Sequence, residues 1–412
     1  MTEELILYLL LGITSFDFVF DKVLSYLNDK SRKLPIPAEL EGIYDKDQYE
    51  KSQRYHKVVG NFSTLTSSIG FLAAICLLYF GGFGMLDGWL RSVAPMDMLA
   101  SLYFFGVLYF ASDILTIPFQ LYSTFVIEEK FGFNKTTLKT FFLDKLKGYL
   151  LTVVVGGLIL FALISLIFFM GQDFWLYFWL IISVFMVFVN MFYTSLIVPI
   201  FNKLKPLEEG TLKSAIEEYS QKVIFPLTNI FVIDGSKRSS KGNAFFSGFG
   251  KKKKVVLYDT LIEKHTTEEL VAVLAHEVGH FKKKHIVWSM ILGVLQTGVM
   301  LYLLSLLIFN SEVSYAMGGQ TTSIHLNILA FGILFSPLSK ITGILMNIFS
   351  RKNEYEADAY AATTYDKAPL IQALKKLTSD NLGNLTPHPW YVFFNYSHPS
   401  LLQRIQAMEK TD

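Results

Sequence analysis

The chain has 412 residues, 52% of them in the set AVILMFWYC and only 17% charged, with a mean hydropathy of +0.38. Soluble domains carry about 25% charged residues, so this sequence cannot clothe several water-exposed surfaces and reads as a polytopic membrane protein. A net charge of +2 makes nucleic acid a poor partner, and a single cysteine, Cys76, excludes an internal disulfide framework or a cysteine-rich zinc site.

In chain order, the first apolar run is 5–20. It is short and contains Asp17, yet reads as a span. The acidic start MTEELI, with no small-x-small site after the run, argues against a cleaved signal. The runs 58–83, 98–126, 149–170, 174–201, 286–309 and 324–348 each approach or exceed the roughly 20 apolar residues of a span, which gives seven spans in all. Cys76 sits in the second run as a small hydrophobe expected to be buried. Asp113 and Asn190 are polar groups at membrane depth, where a wet cavity or a helix–helix hydrogen bond would explain them. Pro118 is expected to kink its helix.

Lysine and arginine placement orients these spans. The first, third and fifth connections and the tail are basic, the second offers only Arg91, and the fourth and sixth have none. The N-terminus is therefore expected outside, with the C-terminus and long fifth connection in the cytoplasm. The resulting organisation is an N-terminal membrane region at 1–201, a first soluble part at 202–285, a transmembrane hairpin at 286–348 and a second soluble part at 349–412. The two soluble parts are expected to pack as one unit.

The fifth connection ends in TTEELVAVLAHEVGHFKKKH. Thr266 and Glu269 have capping-box spacing, which predicts a helix start. Leu270, Val273, Leu274 and Val278 supply its apolar positions. His276 and His280 then project one turn apart from one face, where two imidazoles can grip one metal ion. Glu277, rotated round the helix, reaches the open coordination position as a general base, the H-E-x-x-H pattern of zinc proteases. Gly279 lets another element approach. Catalytic zinc takes a third protein ligand, and Glu354 in SRKNEYEADAYAATTY is the candidate, with Asp358 one turn on to hold a ligating histidine. Glu356 points elsewhere and reads as a solvated charge. An ordinary acidic helix start is the alternative for that stretch.

HEVGH followed by EYEAD resembles the type 1 CAAX prenyl protease family of membrane zinc metalloproteases. FVIEEKFGFNKTT at 125–137, PIFNKLKPLEEG at 199–210, IDGSKRSSKGNAFFSGFG at 233–250, VVLYDTL at 255–261 and SHPSLLQRIQAM at 397–408 are similar to blocks of the same family. LPIPAEL at 34–40 is so more weakly. The resemblance implies an all-α polytopic membrane protein, seven transmembrane helices around a large water-filled chamber. A cytoplasmic zinc-metallopeptidase unit, mostly α with a small β-sheet, caps it. It implies one Zn²⁺ per chain bound by His276, His280 and Glu354. It also implies hydrolysis after a prenylated cysteine near a CAAX C-terminus, with Glu277 taking a proton from zinc-activated water. Asn243 and Ala244 would belong to an edge strand that holds substrate backbone. His398 would contact the transition state and Arg404 the substrate carboxylate. Asn243 as a turn residue, His398 as a helix-entry residue and Arg404 as a structural partner of Asp358 or Glu409 are the plainer readings. His56, His265, His285, His325 and His388 match no ligand position.

The expected partners are a peptide or protein substrate, prenylated or not, and the lipid bilayer. The short outer loops and tail look more like a bacterial homologue in the inner membrane than an endoplasmic reticulum enzyme. Because bacteria generally lack prenylation, a quality-control zinc protease remains the alternative. A channel or scaffold is disfavoured, because three of the spans are almost wholly apolar.

Overall fold

The computed structural model describes residues 1–225, 230–247 and 254–410. The membrane region opens with α1 (Glu3–Ser31) and α2 (Lys46–Tyr79), followed by α3 (Gly82–Val93) and α4 (Asp97–Tyr122). Asp45 starts α2 by accepting the Gln48 amide at 2.7 Å, as an N-cap aspartate should. Pro118 lies inside α4, and downstream the helix widens to a π-turn at Ser123–Glu128. Next come α5 (Leu138–Leu151), α6 (Gly157–Met170), α7 (Phe174–Leu196) and the short α8 (Val198–Phe201).

The soluble part begins with β1 (Leu204–Pro206) and α9 (Thr211–Lys222), then β2 (Ile230–Ile233), β3 (Ala244–Ser247), β4 (Lys254–Tyr258), α10 (Asp259–Ile262) and α11 (Thr267–Lys282). The chain re-enters the apolar region through α12 (His285–Leu307), α13 (Ser311–Ala316) and α14 (Ile324–Leu334). It returns on α15 (Ser336–Thr364), α16 (Lys367–Asp380), α17 (Pro389–Asn395) and α18 (Leu401–Glu409).

This is an integral membrane protein, mostly helical with one small sheet. Among the described residues, four helical stretches are long and apolar enough to cross a membrane, or five if α14 and α15, bent by 51°, form one span. One of the four, Leu138–Phe201, runs for 64 residues. A straight helix of that length would measure about 96 Å, three bilayers thick. Instead the chain turns at Gly171, whose φ of 57° lies in the left-handed region, and α6 packs against α7. α1 is less apolar than these four, because Asp17, Asp21 and Lys22 interrupt it.

Two early expectations resolve differently. Cys76 is exposed on α2 rather than buried, because only 6% of the apolar window of that helix packs inside the protein. Asp113 takes the helix–helix option: its carboxylate is 2.6 Å from Lys145 Nζ on α5 and accepts the Tyr149 hydroxyl. Asp113 also borders a cavity of about 360 Å³, and Asn190 borders another of about 360 Å³ that reaches His280 and His285.

The sheet order is β1-β2-β4-β3, with β2 and β4 parallel and the other pairs antiparallel, so β3 is an edge. The soluble core draws on both soft-seamed halves of the chain. Ile216, Val255, Leu257, Leu270, Leu274 and Val278 pack with Ala361, Leu370 and Met408.

Candidate active site

The capping box predicted for α11 is present: Thr266 accepts the Glu269 amide while Glu269 accepts the Thr266 amide. Glu269 also meets Lys376 of α16 at 2.7 Å. This fixes where the helix starts and so the phase of every side chain after it. The apolar face buries Leu270, Leu274 and Val278, which turns His276 and His280 toward α15. Gly279 permits the approach: a Cβ built there would lie 3.0 Å from Ala357 Cα and 3.1 Å from its carbonyl oxygen. Ala357 sits between Glu354 and Asp358, so the glycine sets how closely those carboxylates reach the histidines.

His276 Nε2 and His280 Nε2 are 3.1 Å apart. Glu354 Oε2 is 3.5 Å from the first and Glu354 Oε1 is 3.3 Å from the second. These three side chains can bring one ligand atom each within 4.8 Å of one another. Glu354 is 4% exposed, and its Oε2 has no hydrogen-bond partner among the described residues. A buried carboxylate oxygen without a donor is costly, and a cation at this point would remove that cost. Two imidazoles plus one carboxylate is a zinc donor set. The residues fit the metal.

Behind His276, Asp358 Oδ1 lies 2.9 Å from its Nδ1. Arg404 of α18 donates to both Asp358 oxygens, at 2.8 and 2.6 Å, and its Nη1 is 3.6 Å from Glu354 Oε2. The guanidinium is therefore engaged by Asp358, the plainer reading of Arg404, and orients the ligand-holding carboxylate. His398 Nε2 comes within 3.3 Å of Glu354 Oε1, from a side chain that is mostly exposed, and Ser397 Oγ pairs with its Nδ1 at 2.9 Å.

Glu277 makes no hydrogen bond or ion pair among the described residues. Burial pushes its carboxyl above the ordinary range; the neighbouring His276 and His280 charges pull it down and Glu354 pushes it up again. Burial works against a charge on His276, but the Asp358 and Glu354 carboxylates outweigh it and hold the imidazolium up to about 9 in the metal-free arrangement.

Asn243 precedes the edge strand, and its side-chain oxygen accepts the Ala244 amide at 2.8 Å. Ala244 pairs with Leu257 on one side only, and β3 packs on α11. His276, His280, Glu354, Asp358, His398 and Arg404 thus meet at one place. Asn243, just before β3, and Ala244, its first residue, lie on the element that packs on α11 and make no hydrogen bond to those side chains among the described residues.

A second histidine–carboxylate pair, His285 and Glu356, adjoins the cluster. His285 Nδ1 lies 3.0 Å from His280 Nδ1, and His285 Nε2 is 3.1 Å from Glu356 Oε2. Glu356 is thus a partner of His285 rather than a free solvated charge. Helical spacing hid this, because Lys284 takes a left-handed φ of 60° between α11 and α12.

Comparison with known proteins covers nearly the whole chain. Residues 25–203 match the CAAX prenyl protease N-terminal model of five membrane helices, and residues 206–412 match peptidase family M48. The chain belongs to the type 1 CAAX prenyl protease family of M48 peptidases. It is 33% identical to the CAAX prenyl protease 1 of Saccharomyces cerevisiae, covering 97% of this chain and 94% of that one. It is also 33% identical to the human CAAX prenyl protease 1 homolog, covering 91% and 88%. The crystal structure of S. mikatae Ste24p superposes with a TM-score of 0.92 at 32% identity, covering 98% of this chain and 99% of that one. As a member of this family the chain is a membrane metalloendopeptidase, and its substrates are peptides or proteins.

The family's sequence blocks acquire physical roles here. Glu128, from FVIEEKFGFNKTT, accepts from Tyr55 at 2.7 Å and from Lys241 at 3.0 Å. Asn134 bridges Ser239, and Arg238 pairs with Asp144. These bonds hold the loop before β3 against the membrane helices.

Proposed function

We propose that this chain is a zinc endopeptidase cleaving near the C-terminus of prenylated CAAX-type proteins, with one zinc held by His276, His280 and Glu354. The observation that carries the reading is the ligand cluster across the α11–α15 seam, with Glu277 unpartnered beside it. The substrate class rests on the names of the relatives, CAAX prenyl protease 1 among them.

A zinc ion held by His276, His280 and Glu354 would supply Lewis acidity toward water and a peptide carbonyl. Glu277 is the proton carrier: a carboxylate oxygen takes the proton of the attacking water and returns it to the leaving amine. Asp358, fixed by Arg404, holds the His276 Nδ1 hydrogen and so keeps Nε2 free to ligate. His398, exposed and 3.3 Å from Glu354 Oε1, is placed to meet charge developing on the carbonyl oxygen. Arg404, deeper in the seam, reaches a substrate carboxylate only by sharing its hydrogen bonds. The open edge of β3, from Asn243 and Ala244, can add a substrate strand.

The membrane part is read as seven spans around a chamber. α1 joins the count because Asp17 accepts from Ser336 and lies 3.6 Å from Lys340, inside the bundle. The turn at Gly171 divides one long stretch into two, and α14 with α15 makes a bent one. Lysine placement puts the N-terminus outside and the catalytic unit in the cytoplasm. The division into 1–201, 202–285, 286–348 and 349–412 follows from that topology.

The test is cleavage of a farnesylated CAAX peptide beside its unprenylated twin, with and without a zinc chelator. Chelator-sensitive cleavage that strongly favours the farnesylated peptide supports the reading. Equal cleavage of both favours a quality-control protease. A reporter after Asp412 should read cytoplasmic and a tag before Met1 should be accessible from outside; both ends on one side would break the seven-span count.

A further inference from the structure

Two adjoining cavities lie where α1 and α2 leave the apolar segment. The larger, about 850 Å³, is bordered by Lys30, Arg32, Lys33, Arg54 and Lys57, with Asp29 its only acid. The smaller, about 500 Å³, shares Arg54, Lys57 and Asn61 and adds Lys51 and Lys130, with no acid. Seven cations therefore meet one carboxylate in a chain whose net charge is only +2. Among the described residues only Arg32 of the seven has an ion-pair partner, Asp29.

A bias of lysines toward one side of a membrane explains their side but not their convergence on one pair of cavities. Arg32 adds an independent observation. It borders the larger cavity and is 6% exposed, and its Nε and Nη1 are shielded from water with no acceptor among the described residues. A buried guanidinium with spare donors is costly unless an anion answers it. Depth narrows the candidates. The apolar run of α2 starts at Val58, and from Arg54 to Asn61 the helix rises about 10 Å, so the cations ring the level at which lipid phosphates lie.

We propose that these cavities bind a phosphate-bearing anion at the membrane surface, a chemistry shared by anionic phospholipid headgroups and free phosphate. Arg54, exposed and bordering both cavities, supplies a planar fork suited to phosphate oxygens, and the lysines supply point charges. The proposal rests on the chain spanning a membrane, not on its substrate.

The test uses the purified full chain. Retention of phosphatidylglycerol over phosphatidylcholine is read by native mass spectrometry, and stabilisation by sodium phosphate over sodium chloride at matched ionic strength by thermal melting. The Arg54→Ala/Lys57→Ala variant should bind about tenfold more weakly, with Lys139→Ala unchanged. Lys30→Ala/Lys33→Ala gives an independent pair. Retained peptide cleavage in phosphatidylcholine reports that both variants fold. Phosphatidylglycerol retention lost in both pairs identifies a lipid headgroup. Phosphate stabilisation lost in both, without lipid retention, identifies free phosphate. No preference for either anion, or a preference that both variants keep, overturns the proposal.

Discussion

The seam between α11 and α15 and the outer faces of the membrane helices use their residues in opposite ways. In the seam, His276, Glu354 and Asp358 are all buried and each is answered by a specific partner within a few ångströms. On the spans, only 6% of the apolar window of α2 and 11% of that in Leu138–Phe201 is buried inside the protein, so large apolar side chains point outward. The first region is specified by geometry, since a buried charge without its partner is heavily penalised. The second is specified by solvent, since lipid accepts almost any apolar side chain at its surface. Substitutions should therefore be felt sharply in the seam and weakly on the outer faces.

The largest effect should follow removal of a ligand. His276→Ala or Glu354→Ala is expected to lower bound zinc from about one equivalent per chain to near none, and activity should vanish with it. Metal analysis of the purified variants checks this. Full zinc in Glu354→Ala would remove that residue from the site and leave the seam a structural ion cluster.

Glu277→Gln comes next and separates binding from chemistry. The amide keeps the shape but cannot accept a proton, and general acid–base contributions are about 10²–10⁴-fold. Turnover should fall by that range while zinc content and peptide affinity hold. Loss of zinc in this variant would make Glu277 a ligand; full activity would show that α11 is not the catalytic helix.

Much of the seam was legible in the sequence because it rests on short-range periodicity. The i, i+4 spacing of His276 and His280, and of Glu354 and Asp358, carries over to any regular helix, and Gly279 reads as a close approach. What was not legible depends on breaks in that regularity or on distant pairing. His285 reaches His280 only because Lys284 leaves the helical conformation. Arg404 was readable as a partner of Asp358 or Glu409, but the choice between them is made across 46 residues, where spacing gives no guide. The seven cations around the two cavities come from three separate segments. In the membrane region, composition located the apolar runs, but it could not tell that Cys76 faces outward or that Asp113 is paired with Lys145. Hydrophobicity does not distinguish a lipid-facing position from a buried one.

His285 and pH sharpen the comparison at an intermediate scale. His285→Ala removes the group beside His280 Nδ1, and such outer partners are typically worth about 10–100-fold in metal affinity. Chelator competition should report a loss in that range, and an unchanged affinity would make the His285–Glu356 pair irrelevant to the metal. His276 sets the pH dependence. Its metal-free pKa of about 9 is above the unfolded value of about 6.5. The stabilisation is therefore fully present below about pH 6.5 and lost as pH rises toward 9. Zinc requires the neutral ring, so its binding strengthens over the same interval. The gap in melting temperature between zinc-loaded and chelated protein should widen from pH 6.5 to 9. A constant gap would mean that His276 carries no proton in the metal-free protein.

The smallest effects test the contrast itself. Gly279→Ala adds one methyl group 3.0 Å from the Ala357 backbone, where no flexible side chain can give way. Overpacking of this kind costs about 1–3 kcal/mol, partly offset by the roughly 1 kcal/mol that alanine gains over glycine in a helix interior. The net loss should be modest, about 0–2 kcal/mol. Zinc affinity should drop more visibly, because the displaced neighbour is α15, which carries Glu354. Leu158→Ala removes far more volume from α6, but Leu158 is 65% exposed and packs little against the rest of the protein. Its effect on stability should stay within about 0.5 kcal/mol, with zinc binding untouched. Thermal melts and chelator competition on the two variants, side by side in the same detergent, decide the matter. If the single methyl group at Gly279 proves milder than the loss of a whole leucine side chain, the seam is looser than its distances imply. The ligand positions would then have to be held by Arg404 and Asp358 rather than by backbone contact.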